Sequence, residues 1–285
     1  MPDVLSGRYS IERLLGTGGM GAVYQARDLL HEQLGEPEPA IAIKVLNDDL
    51  VKAPDAAALL YSEFALTRHL HHPHVIRPYA FEVDADSDRA FMTLELMRGM
   101  RLDQWLHRRP HGLPWDQCRE VAIALLDALA HVHERGVVHG DVKPGNVMLT
   151  ERGVRLFDFG LGRPVDGVLD GLPQLDRQRL KAWTPCYAAH EILEGGPPTS
   201  QADVYAAALV VYEMAAGRQG SSIVGSGTRC AVAALEKPAG MPSGYWSSLR
   251  QALMSDGRDR PISARQLHRV FQAAPHSRLR QWFKR

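Results

Sequence analysis

Short runs of hydrophobic or alternating positions fill the first third of the chain, and this pattern predicts β-strands. The runs lie at residues 8–15, 21–27, 40–46, 75–83 and 90–95, with acidic or proline-containing separators at 31–39 and 84–89. One helical segment interrupts them. It covers residues 54–70, begins with Pro-Asp, and repeats large apolar residues at helical spacing, namely Leu59, Leu60, Phe64 and Leu70. The first third is therefore predicted to be a small sheet with one helix.

Longer hydrophobic periods follow residue 100 and predict helices. These helices cover residues 115–135, 203–216 and 263–273, with a short β-rich stretch at 137–160 and a Gly/Ser-rich loop at 217–228. Residues 203–216 are apolar around the whole circumference, so this helix should be buried on every side. The predicted fold class is α+β, with a small β-rich lobe followed by a larger, mainly helical lobe.

Composition narrows the function classes. The 285 residues are 45% apolar and 23% charged with a formal net charge of zero, which gives no overall field for nucleic acid or an anionic membrane. No apolar run reaches the length of a membrane span, and the first residues have no signal core. Cys118, Cys186 and Cys230 are odd in number and far apart, so we expect reduced thiols in a cytoplasmic protein.

Four histidines between residues 69 and 74 raise the question of a metal site. No cysteine or carboxylate joins them at ligand spacing, so a helix end and turn is the favoured interpretation. The histidines are His69, His71, His72 and His74.

A glycine-rich segment, GTGGMGAVY, contains Gly16, Gly18 and Gly21. In a dinucleotide-binding site the glycines would open a helix, whereas here Ala22-Val23-Tyr24 continues as a strand. The pattern predicts strand, glycine turn and strand, whose backbone amides can lie over phosphates. Taken alone, it also fits a plain hairpin turn.

Two charged residues, Lys44 and Glu63, occur where the surrounding sequence pattern is apolar. Lys44 follows Ala42-Ile43 in a predicted strand, and Glu63 lies near the apolar side of the predicted 54–70 helix. A carboxylate near a buried face is costly unless it is paired, so we predict that Glu63 pairs with Lys44. The pair would hold the ammonium in place for a phosphate.

Acidic and amide side chains follow in two loops, His139-Gly140-Asp141-Val142-Lys143-Pro144-Gly145-Asn146 and Asp158-Phe159-Gly160. Asn146 and Asp158 supply the oxygen ligands that Mg²⁺ prefers. Asp141 could orient a hydroxyl and accept its proton. Each aspartate alone could be a turn residue, but the order and gaps of the whole set favour a catalytic arrangement.

Together these motifs resemble those of eukaryotic-type protein kinases, over about residues 8–272, and the GGMGAVY segment is most similar to bacterial serine/threonine kinases. The resemblance implies transfer of the ATP γ-phosphate to serine or threonine of a protein, with Mg²⁺ (or Mn²⁺) as cofactor. It implies that Lys44 binds the α- and β-phosphates, Asp141 is the base and Lys143 steadies the γ-phosphate. Asn146 and Asp158 would hold the metal.

The same resemblance implies the lobes and the nucleotide pocket. Residues 1–97 would form the N-lobe and 98–272 the C-lobe, followed by a basic tail at 273–285. Glu95 to Met97 would be the hinge that bonds adenine, with Leu94 as gatekeeper and Val23 and Ala42 around the ring. In the C-lobe, Thr184 would contact Asp141 and Lys143, Glu191 would pair with Arg260, and Asp203 would begin the central helix.

The sequence also departs from that family. Gly140 replaces the usual arginine before the catalytic aspartate, and no Ser, Thr or Tyr occurs from Phe159 to Trp183. Both absences favour a kinase that is not switched by phosphorylation of this part of the 158–191 activation segment. Trp183, His190 and Ala208 also replace usual residues, which leaves open the shape of the peptide-docking surface.

Two alternatives remain. His-Gly-Asp-x-x-Pro-Gly-Asn also resembles small-molecule phosphotransferases, although those usually lack a lysine at the position of Lys143. A pseudokinase that binds partners without catalysis is the other, although such proteins generally lose residues such as Lys44, Asp141 or Asp158. The substrate protein and oligomeric state are not encoded in any motif.

The tail at 277–285 has two aromatic and several basic residues; a packed or frayed terminus is favoured over a lipid contact.

Overall fold

The computed structural model describes residues 2–18, 21–46, 56–169, 171–172, 184–217, 235–254 and 257–273. The loop predicted at 217–228 lies outside this part apart from Gly217, and so do Trp183, Cys230 and the basic tail.

The N-terminal part is an antiparallel sheet of six strands in the order β1-β2-β3-β4-β6-β5. The strands are β1 Val4–Leu5, β2 Tyr9–Thr17, β3 Gly21–Asp28, β4 Ala40–Leu46, β5 Pro78–Asp84 and β6 Arg89–Glu95. Helix α1, Leu29–Gln33, follows β3, and helix α2, Ala56–His69, follows β4. Strand β4 is central and buried from Ile41 to Leu46, because a small core covers one face and α2 with the main core covers the other.

The remaining chain is mainly helical. Its helices are α3 Leu102–His107, α4 Trp115–Glu134, α5 His190–Leu193, α6 Ser200–Ala216, α7 Ser243–Ala252 and α8 Ala264–Gln272. This part also contains two small sheets. One has three strands, β7 Gly99–Arg101, β9 Val147–Thr150 and β10 Gly153–Leu156. The other pairs β8 Val137–Val138 with β11 Arg163–Pro164. The prediction of an α+β fold with a β-rich part before a helical part is confirmed.

Helix α6 forms the centre of the helical part. Every residue from Ala202 to Ala215 is buried, which confirms the prediction from its all-round apolar pattern. The Thr199 side chain caps its first turn through the amide of Ala202, and Gly217 ends it in the left-handed conformation. Helix α8 begins with a capping box between Ser263 and Gln266.

The predicted long elements match the structure to within a few residues. The strand expected at 75–83 begins at Pro78, since Val75 forms only an isolated bridge to Leu156, and the helix expected at 203–216 begins three residues earlier. The sequence pattern does not predict helices α1, α3, α5 and α7. Each has ten residues or fewer, too few turns for a clear apolar period. The lobe boundary at residue 97 remains a prediction.

Two cysteines lie within the described residues and both are free. Cys118 is buried, which raises the pKa of its thiol, and Cys186 is partly buried. Among the helices of the described ranges, none combines the length and the apolar character that crossing a membrane requires.

An ion pair fastens α5 to the segment before α8, as predicted for Glu191 and Arg260. The guanidinium donates to both carboxylate oxygens at 2.6 and 3.0 Å, and the Arg260 side chain is fully buried while that of Glu191 is 27% exposed. Arg260 also donates to the carbonyls of Met254 and Gln201.

We therefore expect Arg260→Ala to lower the free energy of unfolding by about 3 kcal/mol, because it leaves a carboxylate and two carbonyls without their donor. Urea denaturation followed by tryptophan fluorescence measures this. The matched control is Arg27→Ala, which removes an arginine from an exposed pair with Glu12 and should leave the midpoint nearly unchanged. Equal losses in the two variants would contradict the prediction.

Candidate active site

A buried lysine joins the sheet, α2 and the loop after β10. The Nζ of Lys44 lies 2.6 and 2.8 Å from the two carboxylate oxygens of Glu63 and 2.8 Å from Oδ1 of Asp158. The predicted pairing of Lys44 with Glu63 is therefore present, and the structure adds Asp158 to it. One ammonium is shared by two carboxylates. We call the space beside Lys44 and Asp158, between the sheet and the loops at 139–146 and 158–160, the cleft.

Each member is positioned by its local structure. Lys44 lies in the buried central strand, opposite Val23 on β3 and Met92 on β6. Glu63 is buried on the inner face of α2, where the Thr67 hydroxyl donates to its carbonyl. Asp158 has a φ of +67°, an uncommon conformation for a residue other than glycine, and one that is typical of functional sites.

Electrostatics keep the lysine charged. Burial acts to lower the pKa of Lys44, but the charges of Asp158 and Glu63 outweigh it and raise the pKa. Burial acts to raise the pKa of Asp158, and Lys44 more than reverses this. Burial raises the pKa of Glu63 against the opposing effect of Lys44. The Asp158 side chain remains 41% exposed, so this carboxylate faces the cleft.

The loop from His139 to Asn146 is held from beneath by Asp203. The carboxylate of Asp203, buried in the first turn of α6, accepts the amides of His139 and Gly140, each at 2.8 Å. His133 contacts the same carboxylate at 3.0 Å, and its hydrogen bond and charge help to lower the pKa of Asp203 against the effect of burial. Asp203 thus fixes the two residues that precede Asp141.

His139 aligns the backbone of Asp141. Its Nδ1 accepts the Asp141 amide at 3.2 Å, so its Nε2 is the donor to the carbonyl of Phe157 at 3.1 Å. The ring is fully buried against Phe159, 4.6 Å between centroids, and burial lowers its pKa, so that it is neutral.

Three side chains surround the carboxylate of Asp141. The Thr184 hydroxyl donates to Oδ1 at 3.0 Å, and Lys143 lies 2.6 Å from Oδ2. Asn146 Nδ2 donates to Oδ2 at 3.2 Å and to the Asp141 carbonyl at 2.9 Å. Lys143 also donates to Thr184 at 2.9 Å. The predicted contact of Thr184 with Asp141 and Lys143 is confirmed.

The glycine-rich segment is a strand, turn and strand, as predicted. The Gly18 amide donates to the Gly21 carbonyl at 2.8 Å across the turn, although Gly19 and Met20 lie outside the described residues. Gly21 has a packing reason as well: a Cβ there would lie 2.2 Å from the carbonyl oxygen of Val45 on β4. Gly16 has open space around it.

The side chains predicted around adenine share one face of the sheet. Ala42 and Lys44 are two residues apart on β4 and so point to the same side. Val23 pairs with Lys44, and Leu94 pairs with Ala42. Glu95 ends β6, and Met97 lies in the link to β7, partly buried against the main core. These side chains therefore form a row along one face of the sheet, from Lys44 to the link between the two parts of the chain.

Sequence reasoning missed two supporting contacts. Tyr187 donates to Glu213 of α6 at 2.6 Å, and His133 contacts Asp203. The signal is present for both acids, since Asp203 and Glu213 are the two charged residues of an otherwise apolar, buried helix and each requires a partner. Their partners lie far away in sequence, and no local pattern identifies them.

The departures noted in the sequence have local explanations. Gly140 has a φ of +78°, a conformation in which a side chain is strained, and it lines a small cavity with Thr184, Tyr187 and Ala202. His190, in place of the usual proline, begins α5 and contacts Glu194, the residue that follows α5, at 3.0 Å. Ala208 is fully buried in α6.

The donor set fits a cation that keeps water and phosphate ligands. Asp158 offers the exposed part of its carboxylate, and Asn146 uses its Nδ2 for Asp141, which leaves its oxygen as an acceptor. Within the described ranges, no three His, Cys, Asp or Glu residues are arranged to hold a metal by themselves. Mg²⁺ is commonly bound by one or two protein oxygens together with substrate phosphates, so these residues suit it.

Comparison with known proteins agrees with this geometry. The protein kinase domain family matches residues 9–234. The chain is 32% identical to the serine/threonine-protein kinase PkaA of Streptomyces coelicolor over 271 residues, 89% of this chain and 48% of PkaA. It is 34% identical to PkaB of the same organism over 270 residues, 89% of this chain and 60% of PkaB. The chain thus spans about half the length of the curated relatives it matches.

A solved structure gives the same fold. The kinase domain of Mycobacterium tuberculosis PknI, crystallised as a point mutant, aligns with a TM-score of 0.67 over 94% of this chain and 96% of that one, at 24% identity. The family match covers most of the sequence, the fold agrees over nearly all of it, and the chain belongs to the protein kinase domain family.

Proposed function

We propose that this protein is an ATP-dependent serine/threonine protein kinase. The observation that supports this most strongly is the pairing of two charged clusters on one cleft, Lys44 with Glu63 and Asp158, and Asp141 with Lys143 and Thr184. The names of the curated relatives, PkaA and PkaB among them, point to the same activity.

In this proposal the nucleotide lies between the sheet and the helical part. Val23 and Ala42 would cover the adenine, and the backbone from Glu95 to Met97 would bond its edge. The amides near Gly16, Gly18 and Gly21 would lie over the phosphates. Lys44, held by Glu63, would bind the α- and β-phosphates. Mg²⁺, held by Asn146 and Asp158, would neutralise charge on the phosphates.

Asp141 is suited to act as the base. Its Oδ1 already accepts a hydrogen bond from the Thr184 hydroxyl at 3.0 Å, the interaction that an incoming serine or threonine hydroxyl would make. The acceptor oxygen would bond to the γ-phosphorus as the bond to the ADP oxygen breaks, and the hydroxyl proton would pass to Asp141. Lys143, 2.6 Å from Asp141, would stabilise the charge on the transferred group.

The alternatives fit the site less well. A pseudokinase would not need the three close contacts of Lys44 or the charged surroundings of Asp141. A small-molecule phosphotransferase would not need the Thr184–Lys143 contact beside the acceptor position.

The first test is transfer of labelled γ-phosphate with Mg²⁺, offering the enzyme itself, a basic protein and a panel of aminoglycosides. We expect label on protein serine or threonine, and a loss of at least about 100-fold in Asp141→Ala and Lys44→Met. Lys237→Met, far in sequence from both charged clusters, is the matched control and should keep wild-type transfer. Among the described residues, its Nζ donates to the nearby Met241 carbonyl. Label only on a small molecule would reject the protein-kinase proposal.

We further propose that phosphorylation of the activation segment, residues 158–191, does not control activity. Its stretch from 159 to 183 has no hydroxyl side chain, and Gly140 offers no guanidinium for a phosphate. The contacts of Lys44, Asp141 and Thr184 are made entirely with other side chains of the protein.

Enzyme treated with a phosphatase should therefore retain the transfer rate of the untreated enzyme in its first turnovers. Mass spectrometry before and after treatment gives the occupancy of each site. A large loss of rate that tracks one phosphate, on Thr184 or Tyr187 for example, would contradict this prediction.

A further inference from the structure

Four histidines from three segments meet beside α2. His72 and His74 belong to the junction loop, residues 70–77, which connects α2 to β5, whereas His131 lies in α4 and His268 in α8. The rings of His72 and His131 are stacked with centroids 4.9 Å apart, and those of His72 and His74 are 5.6 Å apart. Asp127 of α4 lies 3.3 Å from His72 and 3.7 Å from His268.

We call His72, His74, His131 and His268 the histidine cluster. Few carboxylates lie close enough to pair with it. Asp127 is shared between His72, His268 and Arg265, which lies 3.2 Å from it. Glu134, the other acid of this face, is bonded through both oxygens to Arg265 at 2.7 and 2.8 Å. Three further arginines lie near the cluster. Arg135, at the end of α4, acts on His131, and Arg269 of α8 acts on Glu134. Arg155 of β10 donates to the Pro73 carbonyl and lies 3.5 Å from Glu95.

The cluster is arranged for neutral imidazoles. Nε2 of His131 and Nδ1 of His268 are buried and have no hydrogen-bond partner among the described residues. Burial lowers the pKa of His72, His131 and His268, and Asp127 opposes this only in part. A proton added here would place a cation beside other imidazoles and arginines, and the carboxylate within reach, Asp127, is already shared with Arg265.

The junction loop connects this cluster to both parts of the active site. It continues directly from α2, which carries Glu63. It is also fastened to β10, just before Asp158, because Nδ1 of His74 bonds the Val154 carbonyl at 2.9 Å and the His74 carbonyl accepts the Leu156 amide at 2.8 Å. Helix α4, on the other side, leads through β8 into the loop that holds Asp141.

We propose that the histidine cluster is a proton-sensing joint, which holds the junction loop, and with it the C-terminal end of α2, on α4 and α8 while its imidazoles are neutral, and which loosens when they are protonated. Loosening would free α2 and so weaken the contact of Glu63 with Lys44. The consequence for catalysis rests on the proposed kinase function, whereas the joint itself does not.

The direction of the pH effect follows from the burial. The folded chain favours neutral His72, His131 and His268, whereas the unfolded chain binds protons near the ordinary imidazole pKa of about 6.5. The stabilisation by the joint is therefore fully present above this pH and is lost as the pH falls below it. Unfolding in this range takes up protons.

The test compares the wild type with His131→Phe/His268→Phe. Phenylalanine keeps a planar ring at both sites, and the two nitrogen atoms named above have no hydrogen bond to lose. Urea unfolding of the full chain between about pH 5 and pH 7 gives the slope of stability against pH. We expect the double variant to take up fewer protons on unfolding than the wild type in this range, and so to show a shallower slope, because it lacks two imidazoles whose pKa burial lowers.

His107→Phe/His111→Phe removes two exposed histidines outside the cluster and is the matched control, which should keep the wild-type slope. Equal slopes in all three proteins would overturn the proposal. If the cluster variant does not fold, the imidazole signals of the wild type, followed by NMR against pH, decide the question. Titration of all cluster imidazoles at or above the value for exposed histidines would overturn it too.

Phosphate transfer measured on the same proteins separates the joint from the kinase proposal. We expect transfer to fall less steeply with acid in the cluster variant than in the wild type and control. A changed stability slope without transfer at any pH would reject the kinase function and support the joint. Transfer with identical acid dependence and identical stability slopes in all three proteins would support the kinase function and overturn the joint.

Discussion

The structure depends on one buried ammonium group. Lys44 lies in the central strand of the sheet and has to share its charge with Glu63 of α2 and Asp158 after β10. A buried charge that loses its partner costs several kcal/mol, so strand, helix and loop are constrained to one arrangement. This arrangement leaves one side of Asp158 exposed to the cleft. The same group of charges therefore stabilises the fold and prepares a phosphate site.

A second buried charge, the carboxylate of Asp203, positions the loop that carries Asp141. Asp203 accepts two amides from the loop before Asp141 and contacts His133, while α6 surrounds it with apolar packing. The helix is rigid because it is buried on every side, and it transfers this rigidity to the loop through two hydrogen bonds. The position of Asp141 is thus determined by the core, although Asp141 itself lies in a loop.

The sequence predicts what its patterns encode locally. Lys44 and Glu63 can be paired because each is a charged residue in an apolar period, and α6 can be predicted as buried because its whole circumference is apolar. Short helices such as α1 and α7 are not predicted, because ten residues or fewer give too few turns for a clear apolar period. The sequence of histidines 69–74 indicates only a helix end and turn. Their partners Asp127, His131 and His268 come from α4 and α8, and only the packing of those helices brings them together.

Residues 159–183 and the histidine cluster differ in whether their charge can change by phosphorylation or protonation. Residues 159–183 contain no hydroxyl group, and position 140 has no side chain, so a phosphate on this stretch would have neither an attachment site nor the usual cationic partner. The histidine cluster, by contrast, has several groups that gain charge below neutral pH and a single shared carboxylate to balance them. It lies next to α2 and thus beside the helix that keeps Glu63 on Lys44. The proposed joint therefore places a means of altering the catalytic pair at the junction loop, next to the end of α2.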